Sequence, residues 1–167
     1  MAKHFTEKHG EDTMAVADFS QAVEAKHYGV KAVQVGGGLR KLLEKELGEF
    51  EDVKNKKSDQ PKHIYEPEEL TDEELENTLW VMDMASKTGA TYNEIVFCDF
   101  FCDKVLGRYE MKDERIKIQL SRKILLDRHE LLATMVHELA HSAGTDGTLE
   151  HGDRRDQLFC NIILGAK

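Results

Sequence analysis

The stretch DRHELLATMVHELAHSA, residues 127–143, decides the fold of the chain around it. It predicts a helix because Asp127 can cap the N-terminus, Glu130 completes a capping box and Gly144 can end the helix. Between these ends, apolar residues recur at helical spacing and cover a broad arc: Leu131, Leu132, Met135, Val136, Leu139, Ala140 and Ala143. The helix is therefore expected to pack this arc on a core.

Within this helix, His137, Glu138 and His141 form the pattern H-E-x-x-H. Histidines four residues apart share one face of a helix, so their imidazoles can bind one metal ion. The glutamate between them can accept a proton from water held by that ion. Two ordinary surface histidines are the alternative interpretation, and the caps and apolar periodicity of the helix favour the metal site.

A catalytic zinc ion needs a third protein ligand and an open position for water. After the motif, a turn signal is followed by a last helix that is predicted from Thr148 to Leu164. His151 is in helical phase with Leu158 and Ile162 on that helix, and this phase favours His151 as the third ligand. Four acidic residues remain alternative ligands: Asp146, Glu150, Asp153 and Asp156.

The composition predicts an ordinary globular protein of 167 residues with a net charge of −9. This acidic balance argues against nucleic-acid binding by the whole surface. The N-terminus has no signal-peptide pattern, no apolar run reaches membrane-spanning length, and an odd number of cysteines (three) suits a reducing compartment. We therefore expect a cytoplasmic protein without a membrane span.

The order of predicted elements places the chain in the α+β class. It comprises a helical N-terminal half, a small antiparallel or mixed sheet, the H-E-x-x-H helix and a C-terminal helix. Residues 1–12 are expected to form a flexible tail, and residues 13–167 a single domain. The N-terminal portion is predicted to contain helices at 13–26, 39–48 and 71–87, a strand at 30–35 and a loop at 49–67, and the sheet is predicted to contain strands at 94–100, 105–111 and 115–120.

Residues 93–164 resemble the core of the small zincin metallopeptidases. The resemblance is carried by the strand RIKIQL at 115–120, by ILL at 124–126 and by LLATMVHELAH at 131–141. The pair His151-Gly152 and the later Phe159 are similar to the SprT-like group, and the turn at Asp146–Thr148 resembles minimal gluzincin-like proteins. Residues 1–90 have no counterpart in this resemblance.

The resemblance implies a zinc metallopeptidase that acts on a protein or peptide substrate. Zn²⁺ would be bound by His137 and His141, with His151 completing the site, and Glu138 would be the general base. It also implies a sheet edge that pairs with an extended peptide. The candidate edge strand is the one that contains Ile116, Ile118 and Leu120.

Several roles stay open at this stage. A second electrophile could stabilise the oxyanion, and the candidates for it are Tyr109, Arg154 and Arg155. A rival interpretation is a non-catalytic, metal-containing binding or regulatory module that acts through protein–protein contacts. A third is a protease associated with nucleic acid, as the SprT-like resemblance suggests, although the acidic balance weakens it.

Overall fold

The computed structural model describes residues 1–10 and 13–165. The chain divides into two compact units, Met1–Gln60 and Pro61–Lys167. The sequence predicts instead a single domain, in which the portion without a counterpart in the zincin resemblance ends near residue 90. The α+β class is confirmed, because both units combine helices with strands. Within the described ranges, no helix has both the length and the apolar character needed to cross a bilayer.

The first unit is built around a parallel β-α-β element. Strands β1 and β2 pair in parallel, with Thr13 opposite Lys31. Its elements are α1 (Ala2–His9), β1 (Thr13–Val16), α2 (Phe19–His27), β2 (Lys31–Gln34), α3 (Gly37–Leu47) and α4 (Phe50–Ser58). The predicted flexible tail is wrong for residues 2–9, because α1 buries Ala2 and Phe5 in a cluster with Leu43. Residues 11 and 12 of that predicted tail lie outside the described residues.

Two other expectations for this unit are wrong. The predicted helix at 13–26 begins with strand β1, whose four residues are all buried. A short run of apolar residues that are all buried shows no alternation, so its hydrophobic pattern does not distinguish a strand from a helix. The predicted loop at 49–67 contains α4, which buries only Phe50, and the strand Pro61–Ile64 of the second unit, which buries none of its residues, so the apolar pattern is too weak to reveal either element.

The second unit holds a four-stranded mixed sheet in the order β3-β4-β6-β5. Strands β4 and β6 are parallel, and the other two pairings are antiparallel. The elements are β3 (Pro61–Ile64), α5 (Asp72–Lys87), β4 (Glu94–Phe100), β5 (Gly107–Lys112), β6 (Arg115–Ser121), α6 (Arg128–Ala140) and α7 (Leu149–Leu164), with short 3₁₀ turns at Pro67–Glu69 and Arg122–Ile124.

The predicted edge strand is wrong. Strand β6, which contains Ile116, Ile118 and Leu120, lies between β4 and β5 and is paired on both sides. The hairpin with β5 is local and was predictable, but the parallel pairing with β4 is not encoded in nearby sequence. Strand β5 is therefore the edge of the sheet on this side.

One hydrophobic core joins the sheet to helices α5, α6 and α7. Helix α6 buries most of the apolar arc predicted for it, with Leu131, Met135 and Leu139 at most 1% exposed. Leu132 is half-buried, and Ala143 is exposed because the helix ends at Ala140. From the sheet, Ile118 and Leu120 face the same core, and Leu158 joins it from α7. Burial of each such side chain stabilises the fold by about 1.5–3 kcal/mol, so the core fixes α6 and α7 relative to β5 and β6.

Candidate metal centre

Helix α6 is held at both ends by local hydrogen bonds. At its start, Asp127 Oδ1 accepts hydrogen bonds from the backbone N–H groups of His129 (2.9 Å) and Glu130 (3.0 Å). The helix ends at Ala140, three residues before the predicted end. The N–H groups of residues 141–143 bond to carbonyls three residues earlier, and this tighter turn directs the chain towards α7.

The tight turn orients the second histidine of the motif. His141 Nδ1 lies 3.2 Å from the carbonyl oxygen of Gly144, and a hydrogen bond donated there leaves Nε2 with a free lone pair. Gly144 is required by close packing, because a Cβ at this position would lie 2.6 Å from Thr148 Oγ1. Thr148 in turn caps α7 and accepts a hydrogen bond from the N–H of His151 at 3.3 Å.

His151 enters the site from the first turn of α7. Its side chain is only 5% exposed, and Nε2 lies 3.2 Å from the carbonyl oxygen of His137. A nitrogen that coordinates a metal cannot also donate a hydrogen to a carbonyl. Metal binding through His151 Nε2 would therefore replace this hydrogen bond.

Three imidazoles converge on one carboxylate oxygen. Asp146 Oδ1 lies 3.1 Å from Nε2 of His137, 3.7 Å from that of His141 and 3.9 Å from that of His151. One ligand atom from each of these four residues lies within 4.8 Å of the others. Zinc–nitrogen bonds of about 2.0–2.1 Å would place tetrahedral ligand atoms about 3.3–3.4 Å apart, so this donor set fits a divalent ion after small side-chain adjustments.

The protonation of His137 also suits a metal ligand. Burial lowers the pKa of His137, and the neighbouring imidazoles and Arg155 lower it further. The negative charge of Asp146 acts in the opposite direction. A lowered pKa keeps the ring neutral near pH 7, and the neutral ring is the form that binds a metal.

Glu138 is buried beside the histidines. It is 6% exposed, and its Oε2 lies 3.8 Å from His141 Nε2. Loss of hydration raises its pKa to about 7, the charge of Asp146 adds to this rise, and a hydrogen bond from the backbone N–H of Tyr109 opposes it. A dication bound to the histidines would lower this pKa and favour the ionised carboxylate.

The edge strand β5 packs directly on the glutamate. A Cβ at Gly107 would lie 2.6 Å from Glu138 Oε1 and 2.7 Å from Thr134 Cγ2, distances that real side chains do not tolerate. Glycine therefore lets the strand approach α6 closely enough for the Tyr109 N–H to reach the Glu138 carboxylate. A glycine in a strand often marks such an approach, and this was the signal in the sequence.

The structure also places the remaining candidate residues. Glu150 and Asp153, the alternative ligands on α7, are exposed and lie outside the four-residue cluster. Asp156 is likewise exposed outside the cluster and lies 3.6 Å from Arg155 Nε. Asp146 is the acidic candidate that joins the histidines.

The three candidate electrophiles have different surroundings. The ring of Tyr109 lies 6.1 Å from that of His141, centroid to centroid, which places it at the rim of the cluster. Arg154 donates a hydrogen bond to Gln157 Oε1 at 2.9 Å. Arg155 lowers the pKa of His137 through its charge. Tyr109 is therefore the candidate with a direct ring contact to the cluster.

Comparisons of the chain with known protein families, curated proteins and solved structures give no match. Any function assigned to the chain rests on the chemistry and geometry of its own residues.

Proposed function

We propose that the chain is a zinc-dependent metallopeptidase in which Glu138 is the general base. The observation that carries this proposal is the convergence of three imidazoles, from the end of α6 and the start of α7, beside the buried carboxylate of Glu138 on α6. His137, His141 and His151 would hold the ion. A site that only needs to hold a metal has no use for a desolvated carboxylate next to its ligands, whereas hydrolysis requires one.

Zinc, when bound, would supply a Lewis acid that brings the pKa of its water to about 7 and polarises the carbonyl of the substrate. Glu138 would accept the proton of the attacking water and transfer it to the leaving amine. The Tyr109 N–H holds the Glu138 carboxylate in place, and the Gly144 carbonyl holds the ring of His141. These two backbone contacts orient the base and one metal ligand before a substrate binds.

The position of β5 supports a peptide as the substrate. It is the edge strand of the sheet, and its residues Gly107 and Tyr109 contact the general base. An extended peptide that adds to such an edge by backbone hydrogen bonds would run past Glu138. This replaces the strand of Ile116, Ile118 and Leu120 as the candidate for substrate pairing.

The test of this proposal is Glu138→Gln, measured with a mixture of fluorescence-quenched peptides. The variant should keep one zinc per chain, because the glutamate is not a ligand, and should lose at least about 100-fold in hydrolysis, because the base is absent. Glu130→Gln, an exposed glutamate on the same helix, is the matched control and should keep full activity.

The metal assignment has its own check in the same assay. His137→Ala should lose both the zinc and the hydrolysis, because one of three ligands is removed. Zinc-dependent hydrolysis that survives in Glu138→Gln would reject the role of the base, and full zinc content in His137→Ala would reject the site.

One observation favours a second candidate function. Asp146 Oδ1 lies at ligand spacing from all three histidines, and structural zinc sites commonly have four protein ligands and no open position. The chain would then be a non-catalytic binding or regulatory module with a stabilising metal. Wild-type protein that binds zinc and gains thermal stability, but cleaves no peptide of the mixture, would favour this function over hydrolysis.

A further inference from the structure

We infer that Asp146 is a fourth, exchangeable metal ligand that closes the zinc centre in its resting state. In this view, the Asp146 carboxylate must leave the fourth position before a water molecule can occupy it. The inference concerns regulation of the site and rests on the proposed zinc-binding function.

The direction in which the Asp146 carboxylate points distinguishes a metal ligand from a residue that only orients a ligand. A carboxylate that merely orients a metal-binding histidine bonds to the ring nitrogen that faces away from the metal. In His141 that nitrogen is Nδ1, and its hydrogen-bond partner is already the Gly144 carbonyl. Asp146 Oδ1 instead faces Nε2 of His141, and it also faces Nε2 of His137 and His151. The carboxylate therefore lies on the metal side of all three rings.

The surroundings of Asp146 explain why this ligand could exchange. Its side chain is 70% exposed, whereas the side chain of His151 is 5% exposed. Asp146 lies in the turn between α6 and α7, and Gly147 follows it with a φ of 80°, a conformation that favours glycine. The carboxylate can thus turn towards solvent without disturbing the core, whereas His151 cannot.

The two states exclude each other because a tetrahedral ion offers one position beyond three histidines. When Asp146 Oδ1 occupies that position, no water is bound for Glu138 to deprotonate. When water takes the position, the released carboxylate stays next to the centre and can accept a hydrogen bond from it. The exchange replaces one oxygen ligand by another and needs no additional reactant.

The test compares wild type with Asp146→Asn, Asp146→Ala and the control Asp153→Asn, an exposed aspartate outside the cluster. Zinc affinity is measured by competition with a chelator, and metal-bound water by solvent-proton relaxation of the cobalt-substituted proteins. We expect both Asp146 variants to bind zinc at least about tenfold more weakly and to gain an exchangeable water. Asp153→Asn should match wild type in both measurements.

Unchanged zinc affinity in both Asp146 variants, with the water signal already present in wild type, would overturn the inference and leave a three-histidine hydrolase intact. Complete loss of zinc from both Asp146 variants would also overturn it, because an exchangeable ligand is not essential for binding. Wild-type protein that binds no zinc would reject this inference together with the proposed function, and His137→Ala would then be indistinguishable from wild type.

Discussion

Gly107 lies where the edge strand packs tightly against the proposed base. We expect Gly107→Ala to lower peptide hydrolysis at least about tenfold while zinc content stays unchanged, because its methyl group would displace the Glu138 carboxylate from the Tyr109 N–H. The overpacked contact should also lower the free energy of unfolding by about 1–3 kcal/mol. Steady-state kinetics, metal analysis and denaturant unfolding measure these three quantities.

Gly152 provides the matched control for this substitution. It lies inside helix α7, and a Cβ there would meet no atom within 4 Å. Gly152→Ala should therefore leave hydrolysis intact and stabilise the protein by up to about 1 kcal/mol through helix propensity. Equal activity in the two alanine variants would show that close packing at Gly107 does not position the base.

Residues of the site differ in how far the sequence could predict their places. His137, Glu138 and His141 follow from local helical spacing, and His151 was placed by the phase of the next helix. Asp146 remained one of four acidic alternatives, because its direction depends on a turn that the pattern does not encode. The contact of Gly107 with the base joins strand to helix over a long sequence separation, so local spacing could not predict it.

Helix α5 is linked to the 3₁₀ turn that follows β6 by an ion pair between the buried Glu74 and the half-buried Arg122. Glu74 accepts hydrogen bonds from Arg122 Nε (2.7 Å) and Nη2 (2.8 Å), and its pKa is lowered to about 2, chiefly by Arg122. Because the folded pKa lies below the unfolded value near 4.5, the pair stabilises the fold above pH 4.5. This contribution is lost as the pH falls towards 2.

Glu74→Gln should therefore lower the free energy of unfolding by about 1–3 kcal/mol at pH 7, and the difference from wild type should shrink between pH 4.5 and pH 2. Urea unfolding at a series of pH values measures it. Glu76→Gln on the same helix removes a pair with Arg128 in which the Glu76 side chain is 74% exposed, and should cost less than about 1 kcal/mol. A pH-independent difference for Glu74→Gln would contradict the assigned pair.

Among the secondary-structure elements, the sequence was informative where a helix-capping residue precedes apolar residues at helical spacing. Helix α5 starts where the helix at 71–87 was predicted, with Thr71 and Glu74 forming a capping box, and α7 starts where the last helix was predicted, with Thr148 as its cap. It was uninformative where almost nothing or everything is buried, as in α4 with its single buried residue and in β1 with four. The central position of β6 depends on pairing with a strand that precedes it by about twenty residues, which periodicity cannot encode.

The division into two units has a consequence for the whole molecule. All four residues of the cluster belong to the second unit, on α6, on α7 and in the turn between them. A ligand that binds only the folded form stabilises it by about 2.7 kcal/mol when present at 100 times its dissociation constant. Zinc is therefore expected to stabilise the unit that contains the cluster.

Hydrogen exchange of the full chain, with zinc and with a chelator, measures this stabilisation element by element. Amides of α6 and α7 should exchange more slowly with zinc, because opening of either helix separates the ligands. Amides of β1, α2 and β2 in the first unit should be unchanged, and His137→Ala should remove the protection. Protection that is confined to the first unit, or that persists in His137→Ala, would mean that the ion acts through residues other than the three histidines.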